Sequence, residues 1–277
     1  MSQPRIVSTI AELREALAPR RAGGIALVPT MGALHDGHLS LLRAAPAPTV
    51  VVSIFVNPTQ FAPHEDFDAY PRTLESDLQK LATTGAPLVF APNAREMYPE
   101  GFATTVTVGG PSAGLETDFR PHFFAGVATV VAKLLLAAMP DSAVFGEKDY
   151  QQFLVVKRLA KDLGLATRII GAPIAREPDG LAMSSRNVYL DARERAIAGN
   201  LNKVLKDVMA RARETDDLRD AEIFGAETLK AVGFETVDYV AIRDAESLAV
   251  SETLERPARV LAAAKIGRTR LIDNMAF

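Results

Sequence analysis

Apolar residues fall into short consecutive runs along the first 175 residues of the chain, and amphipathic segments separate these runs. The runs have the length of strands buried on both faces of a sheet, and they cover residues 25–28, 50–56, 88–91 and 143–145. A fifth strand is predicted at residues 167–170. The segments with helical spacing cover residues 9–19, 38–45, 74–84, 127–139 and 149–163. A weaker alternation at residues 104–108 predicts an edge strand. The order of strands and helices predicts an α/β fold with a doubly wound, mainly parallel sheet.

The pattern changes near residue 175. Pro173, Pro178 and the turn Asp179-Gly180 mark a boundary. Amphipathic helices are predicted beyond it at about 191–213 and 218–232, and strands near 236–243, 258–265 and 269–272. We therefore predict two domains, an α/β domain at residues 1–175 and a smaller α+β domain at residues 176–277.

Composition narrows the class of protein. The chain has 277 residues, 48% of them hydrophobic, which is enough for a sizeable core. A net charge of −3 gives no global attraction to nucleic acid or to an anionic membrane, and no apolar stretch reaches the roughly 20 residues that span a bilayer. The absence of cysteine excludes disulfides, thiolate metal ligands and a cysteine nucleophile. Because no signal-like apolar region follows Met1, we expect a cytoplasmic protein.

The segment at residues 29–38, Pro-Thr-Met-Gly-Ala-Leu-His-Asp-Gly-His, joins the first buried run to a helix. The free N–H groups and the dipole of a helix N-terminus favour an anion, and Gly32 and Gly37 allow its close approach. His35 and His38 add imidazole donors, so the segment is a candidate phosphate site. A glycine turn used for packing, chance surface histidines, or a zinc site that adds carboxylates to the histidines remain alternatives.

Polar side chains also follow the other predicted strands. Asn57 and Gln60 come after the second strand, and strand ends of a parallel sheet share one crevice, although Asn before Pro also caps turns. Arg120 opens a helix, where it can bind an anion or pair with a carboxylate. Lys148 follows the fourth strand and suits a phosphate oxygen, with an exposed turn as the alternative. The hydroxyls and guanidinium of residues 184–186 suit a triphosphate or form a surface cap.

Taken together, these segments resemble the pantoate–β-alanine ligase family, the pantothenate synthetases of the nucleotidylyltransferase superfamily. The superfamily's His-x-Gly-His signature is here His35-Asp36-Gly37-His38. The resemblance covers most of the chain, through residues 29–32, 55–61, 70–73, 126–131, 145–149, 183–187, 237–239 and 270–274.

The resemblance implies an ATP-dependent ligase. Pantoate and ATP, accompanied by Mg²⁺, would give pantoyl adenylate and pyrophosphate, and the amine of β-alanine would then displace AMP to form pantothenate. The first domain would be Rossmann-like and bind nucleotide and pantoate, the C-terminal domain would act as a lid, and the protein would be a homodimer. Another nucleotidylyltransferase and a catalytically impaired nucleotide-binding homologue are the rival hypotheses.

The resemblance also assigns roles to residues. His38 would be the proton donor with His35 beside it at the phosphates, and Lys148 and Arg186 would stabilise the transition state. Gln60 and Gln152 would hold pantoate, with Asn57 and Arg120 near the same pocket. The nucleotide contacts would be Met31, Gly32, Ala33, Leu34, His35, Asp36, Gly37, His38, Gly146, Glu147, Lys148, Asp149, Ala175, Met183, Ser184, Ser185 and Arg186. No metal-ligating residue is assigned.

The chain departs from the family pattern at one functional motif. The family usually has Arg-Pro-x-His-Phe where this chain has Arg120-Pro121-His122-Phe123-Phe124. Phe123 therefore takes the position of the expected histidine, and His122 lies one residue earlier. The segment at residues 43–49 is also about two residues shorter than usual.

Overall fold

A computed structural model describes residues 3–62, 65, 67–85 and 87–277 of the chain. The chain divides into two compact units. The first comprises Met1–Glu147 and Val155–Pro173, and the second comprises Lys148–Leu154 and Ile174–Phe277. We call them the N-terminal unit and the C-terminal unit.

The N-terminal unit is built on a six-stranded parallel sheet with the strand order β1-β4-β3-β2-β5-β6. Its strands are β1 (Arg5–Val7), β2 (Ile25–Thr30), β3 (Thr49–Ile54), β4 (Leu88–Phe90), β5 (Ser142–Gly146) and β6 (Arg168–Ala172). The central strands are buried on both faces, as Leu27 and Val28 of β2 are 1% and 0% exposed. Continuous apolar runs are what such strands require, which is why their positions could be predicted. The α/β class is confirmed.

Helices connect these strands. They are α1 (Ile10–Leu17), α2 (Asp36–Arg43), α3 (Leu74–Ala82), α4 (Ala94–Met97), α5 (Glu116–Phe119), α6 (Phe123–Ala138) and α7 (Tyr150–Asp162). Thr9 caps α1, because its hydroxyl accepts the Glu12 N–H at 3.1 Å while the Glu12 carboxylate accepts the Thr9 N–H. The division between the units falls within α7, after Leu154.

The sheet differs from the prediction in two places. Residues 104–108 form no strand, and the Val106 N–H instead donates to the Thr129 hydroxyl of α6 at 2.9 Å. The sixth strand is β1, which pairs with β4 at the edge of the sheet. It was missed because it has three residues, of which only Val7 is buried.

The C-terminal unit contains an antiparallel sheet and three helices. The helices are α8 (Ala192–Ala198), α9 (Asn200–Thr215) and α10 (Leu218–Ala231), and the strands, in the order β7-β8-β9, are β7 (Thr236–Asp244), β8 (Ala258–Ile266) and β9 (Thr269–Ala276). The single helix predicted at 191–213 was wrong, since the helix is interrupted at Gly199. A Cβ atom at Gly199 would lie 2.5 Å from the Asp179 carboxylate, so this position has no room for a side chain.

No helix within the described ranges is long and apolar enough to cross a membrane.

Candidate active site

The turn after β2 has an unusual backbone that a distant carboxylate holds in place. Gly32 and Ala33 both have positive φ angles, +82° and +50°. Asp77 of α3 accepts the Ala33 and Leu34 N–H groups at 2.9 and 2.8 Å, and its side chain is fully buried. Sequence reasoning missed Asp77, although its position four residues before the buried Leu81 of α3 was a signal that it faces inward.

The two histidines of the signature lie together at the start of α2. The His35 Nδ1 accepts the Gly37 N–H at 3.2 Å, and the His38 Nδ1 accepts the His35 N–H at 3.3 Å. The ring centroids are 4.0 Å apart. Because each Nδ1 is an acceptor, the hydrogen of each neutral imidazole is on Nε2. Both rings are therefore Nε2–H donors at a helix N-terminus, which is a suitable environment for phosphate oxygens.

The zinc hypothesis for these histidines receives no support from neighbouring groups. Within the described part of the chain, no three His, Cys, Asp or Glu side chains are grouped so that they could hold a metal ion. His64, another possible ligand, lies outside the described residues.

Asn57 and Gln60 occupy the turn that follows β3. Asn57 is 1% exposed, and its Oδ1 accepts the Thr59 N–H while its Nδ2 donates to the Gly126 carbonyl at 3.2 Å. The same Nδ2 also donates to Gln60 Oε1 at 3.1 Å, and Gln60 Nε2 lies 3.0 Å from the Met31 sulfur. The structure thus brings together Asn57, Gln60 and Met31, three of the residues that were predicted to contact substrates.

Arg120 is held in a cluster of its own. Its guanidinium makes two hydrogen bonds to the Glu65 carboxylate, at 2.7 and 2.6 Å, and donates to the Gln60 carbonyl at 3.2 Å. It also stacks over the Phe123 ring, 3.9 Å from the centroid. This geometry corresponds to the carboxylate-pairing alternative, and a substrate contact by Arg120 remains a prediction. The neighbouring His122 has a buried Nε2 without a hydrogen-bond partner among the described residues.

Lys148 lies in a 3₁₀ turn, Glu147–Asp149, between Gly146 at the end of β5 and the start of α7. Its Nζ is 3.6 Å from the Asp149 carboxylate. Its backbone carbonyl accepts a hydrogen bond from Asn274 Nδ2 of β9 at 2.9 Å, and Arg259 of β8 donates to Asn274 Oδ1. Asn274 is 2% exposed, and no role was predicted for it. Its signal in the sequence was its place in residues 270–274, one of the motifs that carry the resemblance.

The predicted nucleotide residues near 175–186 form a compact loop. The Met183 N–H donates to the Ala175 carbonyl at 2.9 Å. Ser184 caps the 3₁₀ turn Ser185–Tyr189 by accepting the Arg186 N–H at 3.3 Å. The predicted cap is therefore present at Ser184, and the nucleotide contacts of these residues remain predictions. Gln152 lies in the first turn of α7 and is half-buried.

A parallel α/β sheet with a His-x-Gly-His turn at a helix N-terminus defines a protein of the nucleotidyl-transfer class. Within that class, the family described as pantoate-beta-alanine ligase matches residues 5–276. The chain belongs to the pantoate–β-alanine ligase family. This places it among the carbon–nitrogen ligases rather than in another branch of the superfamily.

Individual relatives agree over nearly the whole chain. The pantothenate synthetase of Nitrobacter hamburgensis is 57% identical over 278 residues, with 98% of each chain covered. The crystal structure of pantothenate synthetase from Thermus thermophilus is 49% identical, with a TM-score of 0.92 and 98% of each chain covered. The pantoate-beta-alanine ligase of Francisella tularensis, complexed with beta-gamma ATP and beta-alanine, is 34% identical, with a TM-score of 0.84 and 99% and 97% coverage.

Proposed function

We propose that the chain condenses (R)-pantoate with β-alanine to pantothenate, the vitamin from which coenzyme A is made. A carboxylate oxygen of pantoate attacks the α-phosphorus of ATP, and the bond from that phosphorus to pyrophosphate breaks. The amine of β-alanine then attacks the acyl carbon of pantoyl adenylate. The bond from that carbon to the AMP oxygen breaks, and the amine loses a proton as the amide forms.

The observation that carries this proposal is the pair of Nε2–H imidazoles, His35 and His38, at the start of α2. Attack on the α-phosphorus adds negative charge to the phosphate oxygens and to the departing pyrophosphate. Donors fixed in advance at such oxygens stabilise the transition state, and each is typically worth about 2–4 kcal/mol. Lys148 and Arg186 supply positive charge for the same purpose, and His38 donates its Nε2 hydrogen.

The other site assignments follow from the family resemblance. Gln60 and Gln152 hold pantoate, with Asn57 and Arg120 supporting that pocket. Residues 31–38, 146–149, 175 and 183–186 bind the nucleotide. The Francisella tularensis relative, crystallised with beta-gamma ATP and beta-alanine, supports the choice of these two substrates.

Four broader assignments also belong to the proposal. The domain boundary lies between residues 175 and 176, the C-terminal domain acts as a lid, the enzyme is a homodimer, and it works in the cytoplasm. Gel filtration and fractionation of the source cells test the last two.

Mg²⁺ enters this reaction as part of the substrate, MgATP. Magnesium is usually bound by one or two carboxylates together with substrate phosphates and waters, rather than by a complete protein cage. Asp149 and Glu147, beside Lys148 in the 3₁₀ turn, offer carboxylates of the required kind. Bound magnesium neutralises charge on the phosphates, and the protein's own contribution is to orient and bind them.

A product assay tests the proposed function. The purified protein is incubated with ATP and Mg²⁺, and pantoate and β-alanine are added singly and together. We expect AMP and pantothenate only when both are present, and pantoate-dependent exchange of labelled pyrophosphate into ATP without β-alanine. ATP turnover without pantothenate, or no turnover at all, would contradict the proposal, and the latter result would favour a catalytically impaired homologue.

A further inference from the structure

The orientation of the Asn57 amide is determined by two backbone groups. The Thr59 N–H can only donate, so the atom that it contacts at 3.3 Å must be the amide oxygen. The Gly126 carbonyl can only accept, so the atom that lies 3.2 Å away must be the amide nitrogen. Turning the amide over would place donor against donor and acceptor against acceptor.

The orientation of Asn57 in turn determines that of Gln60. The second hydrogen of Asn57 Nδ2 is donated to Gln60 Oε1 at 3.1 Å, which leaves the Gln60 amide nitrogen on the opposite side. The nearest partner described for that nitrogen is the Met31 sulfur at 3.0 Å, and a thioether is a weak acceptor. Gln60 is therefore held as a hydrogen-bond donor toward Met31 of the adjacent turn.

Tyr98 completes this arrangement from outside the turn. Its hydroxyl donates to Asn57 Oδ1 at 2.7 Å, and the Thr59 hydroxyl donates to the same oxygen at 3.0 Å. The Tyr98 ring packs edge-on against Phe102, with centroids 5.1 Å apart. Burial raises the pKa of Tyr98, so the phenol stays protonated and remains a donor at neutral pH.

Close packing of the backbone holds the turn at residues 57–60 against α6. A Cβ atom at Gly126 of α6 would lie 2.4 Å from the Thr59 carbonyl oxygen and 2.8 Å from the Gln60 nitrogen. The absence of a side chain at Gly126 is therefore what allows its carbonyl to reach Asn57. We call the chain of hydrogen bonds from Tyr98 through Asn57 to Gln60 the relay. Tyr98 holds Asn57 on one side, and the Gly126 carbonyl holds it on the other.

We propose that Tyr98 is a positioning residue, which acts through Asn57 to present the Gln60 Nε2–H group to the substrate. The substrate atom that faces Gln60 is consequently a hydrogen-bond acceptor, a hydroxyl oxygen of pantoate, and a donor-only group is rejected there. This rests on the proposed assignment of Gln60 to pantoate. It also changes the role of Asn57, whose amide atoms all have partners within the chain, from contacting substrate to orienting Gln60.

The first test removes single atoms from the relay. Tyr98→Phe removes the donor and keeps the ring, and Tyr239→Phe in β7 is the matched control. Loss of one hydrogen bond predicts an increase of about five- to tenfold in the KM for pantoate. The KM for ATP and the thermal midpoint should stay close to the wild-type values. An unchanged KM for pantoate in Tyr98→Phe, or an equal change in Tyr239→Phe, would overturn the proposal.

The second test uses selectivity, which a merely structural role would not alter. Pantoate analogues replace each hydroxyl in turn by an acceptor-only ketone or a donor-only ammonium group. At one position the wild type should use the ketone and reject the ammonium. Asn57→Asp cannot donate to Gln60 Oε1, so Gln60 turns over and the preference at that position should fall at least tenfold. An unchanged preference in Asn57→Asp would contradict the relay.

Calorimetric titration of pantoate and the same analogues separates this proposal from the proposed function. If the wild type forms no pantothenate but binds pantoate with the expected preference, the function fails and the relay stands. If it forms pantothenate without the preference, the relay fails alone. Should Asn57→Asp not fold, Thr59→Val removes one donor to Asn57 Oδ1, and the preference should then weaken.

Discussion

The two turns that carry the proposed chemistry are held in different ways. At residues 57–60 of the N-terminal unit, side chains fix one another, so that each amide atom of Asn57 has a defined partner. At Lys148 of the C-terminal unit, the described contact from β9 holds the backbone carbonyl, while the ammonium group has Asp149 3.6 Å away. The turn at residues 57–60 fixes a side chain, whereas the turn at Lys148 fixes the backbone from which a side chain extends.

The difference agrees with what each group is proposed to recognise. A glutamine amide has a donor and an acceptor of similar shape, so it discriminates only if its orientation is fixed. A lysine ammonium is a compact charge on a flexible stem, with donors that rotate freely. Specificity for pantoate therefore requires a network of side chains, whereas binding of phosphate requires a well-placed backbone.

The largest expected effect comes from removing a hydrogen-bond donor proposed to face the phosphates. Lys148→Ala and His38→Ala should each lower the rate of pantoate-dependent pyrophosphate exchange about 10²–10³-fold, because each removes a donor to developing charge. Circular dichroism should not change in either variant, and the thermal midpoint should stay the same in Lys148→Ala but fall slightly in His38→Ala, which loses the acceptor for the His35 N–H. The matched control is Lys157→Ala, at an exposed position further along α7. Exchange at near-normal rates in either variant would remove that residue from the mechanism.

The next effect concerns the buried carboxylate under the signature turn. Asp77→Asn replaces one acceptor by an NH₂ group facing a backbone N–H, so we expect a loss of about 1–3 kcal/mol in the free energy of unfolding. Urea denaturation measures it, and Asp207→Asn at an exposed site on α9 is the control. Exchange activity should fall as well, since Asp77 holds Ala33 and Leu34. Equal stabilities of the two variants would show that Asp77 does not support the turn.

The smallest effect tests the backbone support of Lys148. Asn274→Ala removes the hydrogen bond to its carbonyl, and we expect a roughly fivefold fall in the exchange rate, with little change in the KM for pantoate. The contrast with Tyr98→Phe, which should act mainly on the KM for pantoate, sharpens the comparison between the two turns. The comparison would break down if both variants changed the same kinetic parameter by the same factor.

Local features of the fold could be predicted from the sequence. The central strands are continuous apolar runs, and the capping box at Thr9 and Glu12 is complete within four residues. Features that depend on residues distant in the sequence were either missed or predicted wrongly. The strand expected at 104–108 was wrong because the Val106 N–H is satisfied by Thr129, 23 residues away.

The candidate site shows the same contrast between local motifs and contacts with distant residues. The roles of the signature histidines, Gln60 and Lys148 remain predictions, but these residues belong to short motifs and could be named as candidates. Their supports could not, because they act over long sequence separations. Asp77 reaches Leu34 across 43 residues, Tyr98 reaches Asn57 across 41, and Asn274 reaches Lys148 across 126. Each is a polar residue whose partner is set by tertiary packing, which no local pattern encodes.

The transfer of one oxygen atom tests the central claim most directly. Pantoate labelled with ¹⁸O in its carboxylate is converted with ATP, Mg²⁺ and β-alanine, and the AMP is analysed by mass spectrometry. Formation of pantoyl adenylate predicts that each AMP carries one ¹⁸O atom, because the bridging oxygen comes from pantoate and leaves with AMP. Unlabelled AMP, or ADP and labelled inorganic phosphate in its place, would contradict the account.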